Sequence, residues 1–167
     1  MSGAGPGFFS PDWAQAVREA LEAGPSESAR AGKLPMYWDF FDLIKSGYQA
    51  SWALGCRDLP GDPASDQRGD PCGDPAYLVV QWGGGGVTDC RIISPDEPLA
   101  ATYVLGMDYK DWVALHEGYD AQRTVMYRKI LLEQGDLLEF FKSIYFFVEC
   151  LAVIGGVRAA YPALVSG

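Results

Sequence analysis

The stretch from Leu99 to Gly156 constrains the fold of this chain most strongly. Its apolar periodicity predicts a strand, two short helices, another strand and one long helix from Leu137 to about Ile154. Asp136, followed three residues later by Glu139, is a typical start for that helix. The helix carries more apolar surface than a chain of this length needs to close a core. This surplus indicates that a molecule other than the protein itself contacts the helix.

Length and charge exclude several classes of protein. The 167 residues fit one domain that can form a core without disulfides or metal. The formal net charge of −9 repels phosphate backbones and anionic membrane surfaces, so nucleic acid is not an expected partner. Glu139, Lys142 and Glu149 place charges along the long helix, on a stripe expected to face water, which argues against a transmembrane segment.

The cysteines and the N-terminal residues indicate the compartment. The four cysteines lie far apart without a C-x-x-C pair, which is typical of buried thiols in a reduced protein. The first residues contain neither a basic leader nor a long apolar run, so no export signal is expected. We therefore expect a cytoplasmic protein.

Two helices precede the first strand. Ser10 as N-cap and Pro11 at the first helical position begin a helix that ends at Gly24. Residues 25–35 follow and are interpreted as a connector. A second helix, from Met36 to Ser46, has its aromatic residues on one side and its charged residues toward water.

Alternation of apolar and polar residues predicts a strand at residues 48–56. Residues that favour β-structure predict strands at 76–82 and 87–93, and two more strands are expected at 99–107 and 129–134. The four glycines at 83–86 predict a hairpin turn, because a phosphate-binding loop would need a helix directly after them. Residues 57–75 are rich in Asp, Pro and Gly and predict a long loop. Aspartates recur there at every fourth position, roughly 13 Å apart in an extended chain. This spacing lacks the density of a calcium loop, so no metal site is expected.

Three local motifs occur in an informative order. The first is a helix that ends in Lys45-Ser46-Gly47 directly before a strand, and the second is the strand Ala76-Tyr77-Leu78-Val79-Val80, which is followed by glycines. The third is the run Met107-Asp108-Tyr109-Lys110-Asp111-Trp112-Val113-Ala114-Leu115. This run is followed by Gly118, Asp120, Gln122, Lys129-Ile130 and Gly135-Asp136. This order resembles the sterol carrier protein 2 (SCP2) family of lipid-binding domains. The resemblance covers residues 36–154, with residues 57–75 as an insertion.

The resemblance implies an α+β fold, in which a five-stranded, mostly antiparallel twisted sheet is covered on one face by helices, with an apolar tunnel or cavity between the layers. Residues 1–35 would then form an N-terminal helix and connector, packed on a lipid-binding domain of residues 36–167 in one globular unit. The run from Lys129 to Gly135 is one residue longer than in the family, which predicts a bulge or an altered tunnel mouth. Arg128 stands where the family often has glycine.

The function that the resemblance implies is the binding or transfer of a sterol, fatty acid, acyl chain or polycyclic metabolite, without chemistry and without a cofactor. An apolar cavity suits such ligands, since each buried methylene contributes about 0.8 kcal/mol. Each candidate lining residue, taken singly, also fits an ordinary core. The candidates are Tyr37, Phe40, Phe41, Ile44, Trp112, Val113, Val125, Met126, Phe140, Phe141, Ile144, Phe147 and Leu151.

Two alternatives remain. An enzyme could hold a hydrophobic intermediate in the same cavity and use His116, the one histidine, as a general acid or base with Glu117, Glu139 or Glu149 as partner. No triad or metal-ligand pattern surrounds this histidine, so a structural role is favoured. The other alternative is an assembly module, in which the apolar face of the long helix forms a homodimer.

Overall fold

A computed structural model describes residues 7–56, 76–93, 100–157 and 159. The predicted loop at 57–75, which includes Cys72, lies outside the described residues. The described part forms seven helices, which are α1 (Pro11–Ala23), α2 (Glu27–Ala31), α3 (Pro35–Gly47), α4 (Tyr109–His116), α5 (Ala121–Met126), α6 (Leu137–Lys142) and α7 (Ile144–Gly155). Its five strands are β1 (Ala50–Cys56), β2 (Ala76–Gly83), β3 (Gly86–Ile93), β4 (Tyr103–Met107) and β5 (Ile130–Gln134).

The strands form one mixed sheet in the order β3-β2-β1-β4-β5. The central pair, β1 and β4, is parallel, with Trp52 opposite Tyr103, and the other three pairs are antiparallel. The predicted α+β class with a five-stranded, mostly antiparallel sheet is therefore confirmed.

Two local predictions about the sheet are also confirmed. Gly84 and Gly85 turn the β2–β3 hairpin with φ values of +62° and +87°. The β4–β5 ladder has a bulge, because Val104 pairs with Gln134 whereas the adjacent Leu105 pairs with Leu132. The extra residue of β5 is thus accommodated without breaking the sheet. Arg128, just before β5, adopts a φ of +61°, a conformation that glycine adopts more easily.

Aromatic rings fill the space between the central strands and α7. Trp52 of β1 is fully buried, and its ring lies 5.0 Å from that of Phe147 in an edge contact. Trp82 of β2 contacts Phe146 at the same distance. α1 covers β3 and also contacts α7, through buried side chains such as that of Val17. In the described residues, this layer is a packed core.

The connector expected at residues 25–35 contains a short helix. Ser26 caps α2 by accepting a hydrogen bond from the backbone N–H of Ala29 at 3.1 Å. No side chain of α2 is buried, so no apolar periodicity marks this helix in the sequence.

The helix predicted from Leu137 to Ile154 is wrong as one element, because it is divided at Ser143 into α6 and α7. α6 ends in a 3₁₀-type turn, in which the N–H of Ser143 donates to the carbonyl of Phe140 at 3.2 Å. α7 begins at the same residue, because the Ser143 carbonyl accepts the N–H of Phe147 at 3.1 Å. A straight apolar helix would turn only one side toward the sheet. The break lets Phe140 and Phe147 pack on each other with ring centroids 5.0 Å apart.

We predict that Gly135→Ala lowers the free energy of unfolding by about 2–4 kcal/mol. Gly135 has a φ of +120°, and an added Cβ would lie 2.7 Å from both the Thr102 carbonyl oxygen and a ring carbon of Tyr103. Gly118 is a matched control, since its φ is +106° but an added Cβ would meet nothing within 4 Å. We expect Gly118→Ala to cost about 1 kcal/mol. Urea unfolding followed by circular dichroism measures both variants, and equal losses would contradict the predicted steric cost.

Candidate functional site

The thirteen predicted lining residues fall into three groups by exposure. The buried ones are Phe41, Trp112, Phe140, Phe147 and Leu151. The half-buried ones, packed against the core, are Tyr37, Ile44, Val113, Val125 and Ile144. The exposed ones are Phe40, Met126 and Phe141.

The structure brings the lining residues of α3, α6 and α7 together. Phe41 of α3 contacts Phe146 of α7 at 5.1 Å, and Phe140 of α6 contacts both Phe147 and Tyr103. Trp112 lies elsewhere, in a cluster with the aromatic rings of the N-terminal residues 8–13. Its indole N–H donates to the Gly55 carbonyl at 3.0 Å.

Large apolar side chains are exposed on the outer sides of α3, α6 and α7. We call this set the α3–α6 surface; its members are Leu34, Met36, Phe40, Leu43, Leu137, Leu138, Phe141 and Tyr145, each between 47% and 78% exposed. The rings of Tyr37 and Tyr145, 6.2 Å apart, connect the α3 part to the α6–α7 part. Summed over both parts, these residues expose an apolar area on the order of 800 Å².

Most of this surface was missed by the sequence reasoning, although a signal was present. Met36, Phe40 and Leu43 follow the i, i+4, i+7 spacing of one helix face. The opposite face of α3 carries Trp38 and Phe41, which are buried. α3 is therefore apolar on two sides, which a helix packed on only one side does not need.

A buried carboxylate lies beside the α3–α6 surface. Only 9% of the Glu149 side chain is exposed, and its carboxylate accepts the Lys33 ammonium at 2.5 Å and the Tyr37 hydroxyl at 2.6 Å. The expected position of Glu149 on a solvated stripe is therefore wrong. Glu139 and Lys142 do form an exposed pair, at 2.7 Å. Burial, and then the hydrogen bond to Glu149, raise the pKa of the Tyr37 phenol well above its ordinary value.

Polar and cation–π contacts hold α2 over this cluster. The indole N–H of Trp38 donates to the Arg30 carbonyl at 2.8 Å, and the Arg30 guanidinium lies 5.1 Å from the Trp38 ring. Arg30 also pairs with Asp42 at 3.3 Å. The Lys33 ammonium lies 4.5 Å from the centre of the Tyr37 ring. Sequence patterns could not reveal this cluster, because its carboxylate, Glu149, lies more than one hundred residues after Lys33 and Tyr37.

His116 is half-buried against aromatic rings of the core. Its ring is 5.4 Å from Phe8 and 6.1 Å from Trp13, and its Nδ1 lies 3.0 Å from the Trp112 carbonyl oxygen. Burial lowers its pKa below the ordinary value, although backbone hydrogen bonds at Trp112 and Ile154 oppose this effect. This environment matches the structural role that the sequence favours.

A polar cleft of about 380 Å³ opens at one end of the sheet, lined by Gln49, Ala50, Ser51, Gln81, Trp82, Gly83, Thr88 and Thr102. Two of its hydroxyls already accept hydrogen bonds from the backbone. The Ser51 hydroxyl accepts the N–H of Thr102 at 2.9 Å, and the Thr102 hydroxyl accepts the N–H of Ser51 at 3.1 Å. Such a lining does not suit an apolar ligand.

Two observations within the described ranges bear on other classes of site. These residues contain no group of three or more His, Cys, Asp or Glu side chains that could hold a metal ion. None of the helices described is both long enough and apolar enough to cross a membrane.

Comparisons with known proteins identify the fold. No family model and no curated protein sequence matches this chain. The structure is similar to a crystal structure of sterol carrier protein 2, with a TM-score of 0.63 and 20% identity over 90% of this chain and 99% of that one. A conserved hypothetical protein from Thermus thermophilus, described as a candidate sterol carrier protein, gives the same TM-score with 18% identity over 100% and 99% of the two chains. The chain therefore has the SCP2-like fold that its sequence motifs resemble.

We predict that the stability of the protein falls as the pH is lowered from 7.5 to 5.5. The pKa of His116 is lower in the folded chain than its ordinary value of 6.5, so the unfolded chain binds the proton more tightly. The contribution of neutral His116 to the free energy of unfolding is therefore complete above pH 6.5. This contribution is lost as the pH falls through 6.5 toward the lower pKa of the folded chain. Urea midpoints across this range test the prediction. In His116→Gln the part of the pH dependence that comes from His116 should be absent. If the urea midpoint changes with pH equally in both proteins, the pH dependence belongs to other groups.

Proposed function

We propose that the protein binds a hydrophobic small molecule and carries it without transforming it. The ligand is a sterol, fatty acid, acyl chain or polycyclic metabolite. The observation that carries this proposal is the α3–α6 surface, an apolar area exposed on the helical layer of a fold shared with sterol carrier protein 2.

The ligand enters the helical layer by separating α6 from α7, while α3 stays on the core. The interior of the described part is filled with aromatic rings, so a ligand has to take the place of existing contacts. α6 has one buried side chain, that of Phe140, whereas α3 is held by two, those of Trp38 and Phe41. Few core contacts are lost when α6 moves. An apolar ligand offsets that loss at about 0.8 kcal/mol per buried methylene.

The carrier is proposed to act in a reducing compartment such as the cytoplasm. Cys90 and Cys150 are free thiols, and both are buried. Burial raises the pKa of the Cys90 thiol to about 12, so this side chain stays protonated and unreactive at neutral pH.

Native mass spectrometry and organic extraction of the purified protein test the proposal. We expect a monomer carrying a co-purified lipid. The variant Phe40→Ser/Phe141→Ser removes two exposed rings, and we expect it to bind a pyrene-labelled fatty alcohol about tenfold more weakly. Tyr127→Ser is the matched control, because Tyr127 is also exposed but lies at the end of α5. Equal affinity in both variants would place the ligand elsewhere.

A second copy of the chain is the competing occupant of the α3–α6 surface. The exposed area, on the order of 800 Å², equals what one partner contributes to a stable interface. A dimer without ligand, dissociated by Phe40→Ser/Phe141→Ser, would overturn the carrier proposal and establish an assembly role.

A further inference from the structure

Lys33 places its ammonium group in a cage made of one anion and two aromatic rings. The Glu149 carboxylate lies 2.5 Å from the Lys33 nitrogen, and the ring centres of Tyr37 and Trp38 lie 4.5 and 5.9 Å from it. Aromatic faces combined with a carboxylate are the means by which proteins recognise organic ammonium ions. The cage is therefore an ammonium site that the chain fills with its own lysine.

The lysine is held less firmly than the cage. The Lys33 side chain is 41% exposed, and Lys33 lies two residues after the end of α2, a helix without buried side chains. The cage belongs to α3 and α7, where Trp38 and Glu149 are both buried. Lys33 can therefore leave by a movement of the α2 segment that keeps the cage intact.

We propose that the cage formed by Tyr37, Trp38 and Glu149 binds the ammonium head group of an amphipathic ligand, and that Lys33 occupies it until such a ligand arrives. This inference rests on the proposed function, because the apolar part of the ligand lies on the α3–α6 surface. Tyr37 belongs to the cage and also contacts Tyr145 of that surface. A ligand with a carboxylate head is disfavoured, since it would face the buried Glu149 carboxylate.

Three probes with the same ten-carbon chain test the head-group preference: decylammonium, decanol and decanoate, each below its critical micelle concentration. In calorimetric titrations, we expect decylammonium to bind about tenfold more tightly than decanol, with decanoate the weakest. In Lys33→Ala the internal competitor is absent, so decylammonium should bind about another tenfold more tightly. Lys142→Ala is the matched control, because Lys142 pairs with the exposed Glu139 and should leave the affinity unchanged.

A second measurement does not depend on the apolar chain. Lys33→Ala leaves the buried Glu149 carboxylate without its cation, so the melting temperature should fall. We expect methylammonium to raise it again, and to have a smaller effect on the original chain and on Lys142→Ala. In Glu149→Gln the preference for decylammonium over decanol should disappear. In Lys33→Ala/Glu149→Gln methylammonium should no longer raise the melting temperature.

The outcomes separate the cage from the carrier function. If the three probes bind equally in the original chain and in Lys33→Ala, and methylammonium does not rescue Lys33→Ala, the cage proposal is overturned while the carrier proposal stands. If decanol and decanoate do not bind but decylammonium and the rescue behave as expected, the cage stands and the carrier proposal fails. If no probe binds and no rescue occurs, both proposals fail.

Discussion

The contact between α7 and the two strands β1 and β2 is the interaction on which the rest of the structure depends. On the sheet, Trp52 meets Phe147 of α7 and Trp82 meets Phe146, each in an edge contact of 5.0 Å, and the two tryptophan rings lie 5.4 Å apart. Rings of this size bury the largest apolar area that side chains offer, and the edge geometry adds a smaller specific term. Because α1, α3, α4 and α5 all contact α7, its position on the sheet determines theirs.

The position of α7 also determines where the polar cluster forms. With the two phenylalanines turned toward the sheet, Tyr145 and Glu149, one helical turn apart, lie toward α3. A buried carboxylate is costly unless it is paired, and here Lys33 and Tyr37 provide both a charge and a hydrogen bond. The α2 segment has no apolar anchor of its own, so its place over α3 depends on these polar contacts.

Periodicity was sufficient for the parts of the fold that rest on local pattern. The Ser10–Pro11 start of α1, the glycine hairpin and the strand alternation are decided by residues close in sequence. The β4–β5 bulge was one of two outcomes expected from the run between Lys129 and Gly135, which is one residue longer than in the SCP2 family. The same reasoning failed for Glu149, because it assumed a straight helix in which Glu139, Lys142 and Glu149 share a stripe. The chain breaks this helix at Ser143, and Lys33, the cation that pairs with Glu149, lies 116 residues earlier in the chain.

The two ends of an amphipathic ligand would act on different parts of the helical layer. An ammonium group that displaces Lys33 would remove the Lys33–Glu149 contact, which helps to keep the α2 segment over α3. The buried side chains of Trp38 and Phe41 keep α3 itself on the core. The apolar end meets α6, which contributes one buried ring and is separated from α7 by the break at Ser143. Head-group exchange and the opening of the layer are therefore separable steps, each at a segment with few buried side chains, and the packing of α7 on the sheet is not disturbed by either.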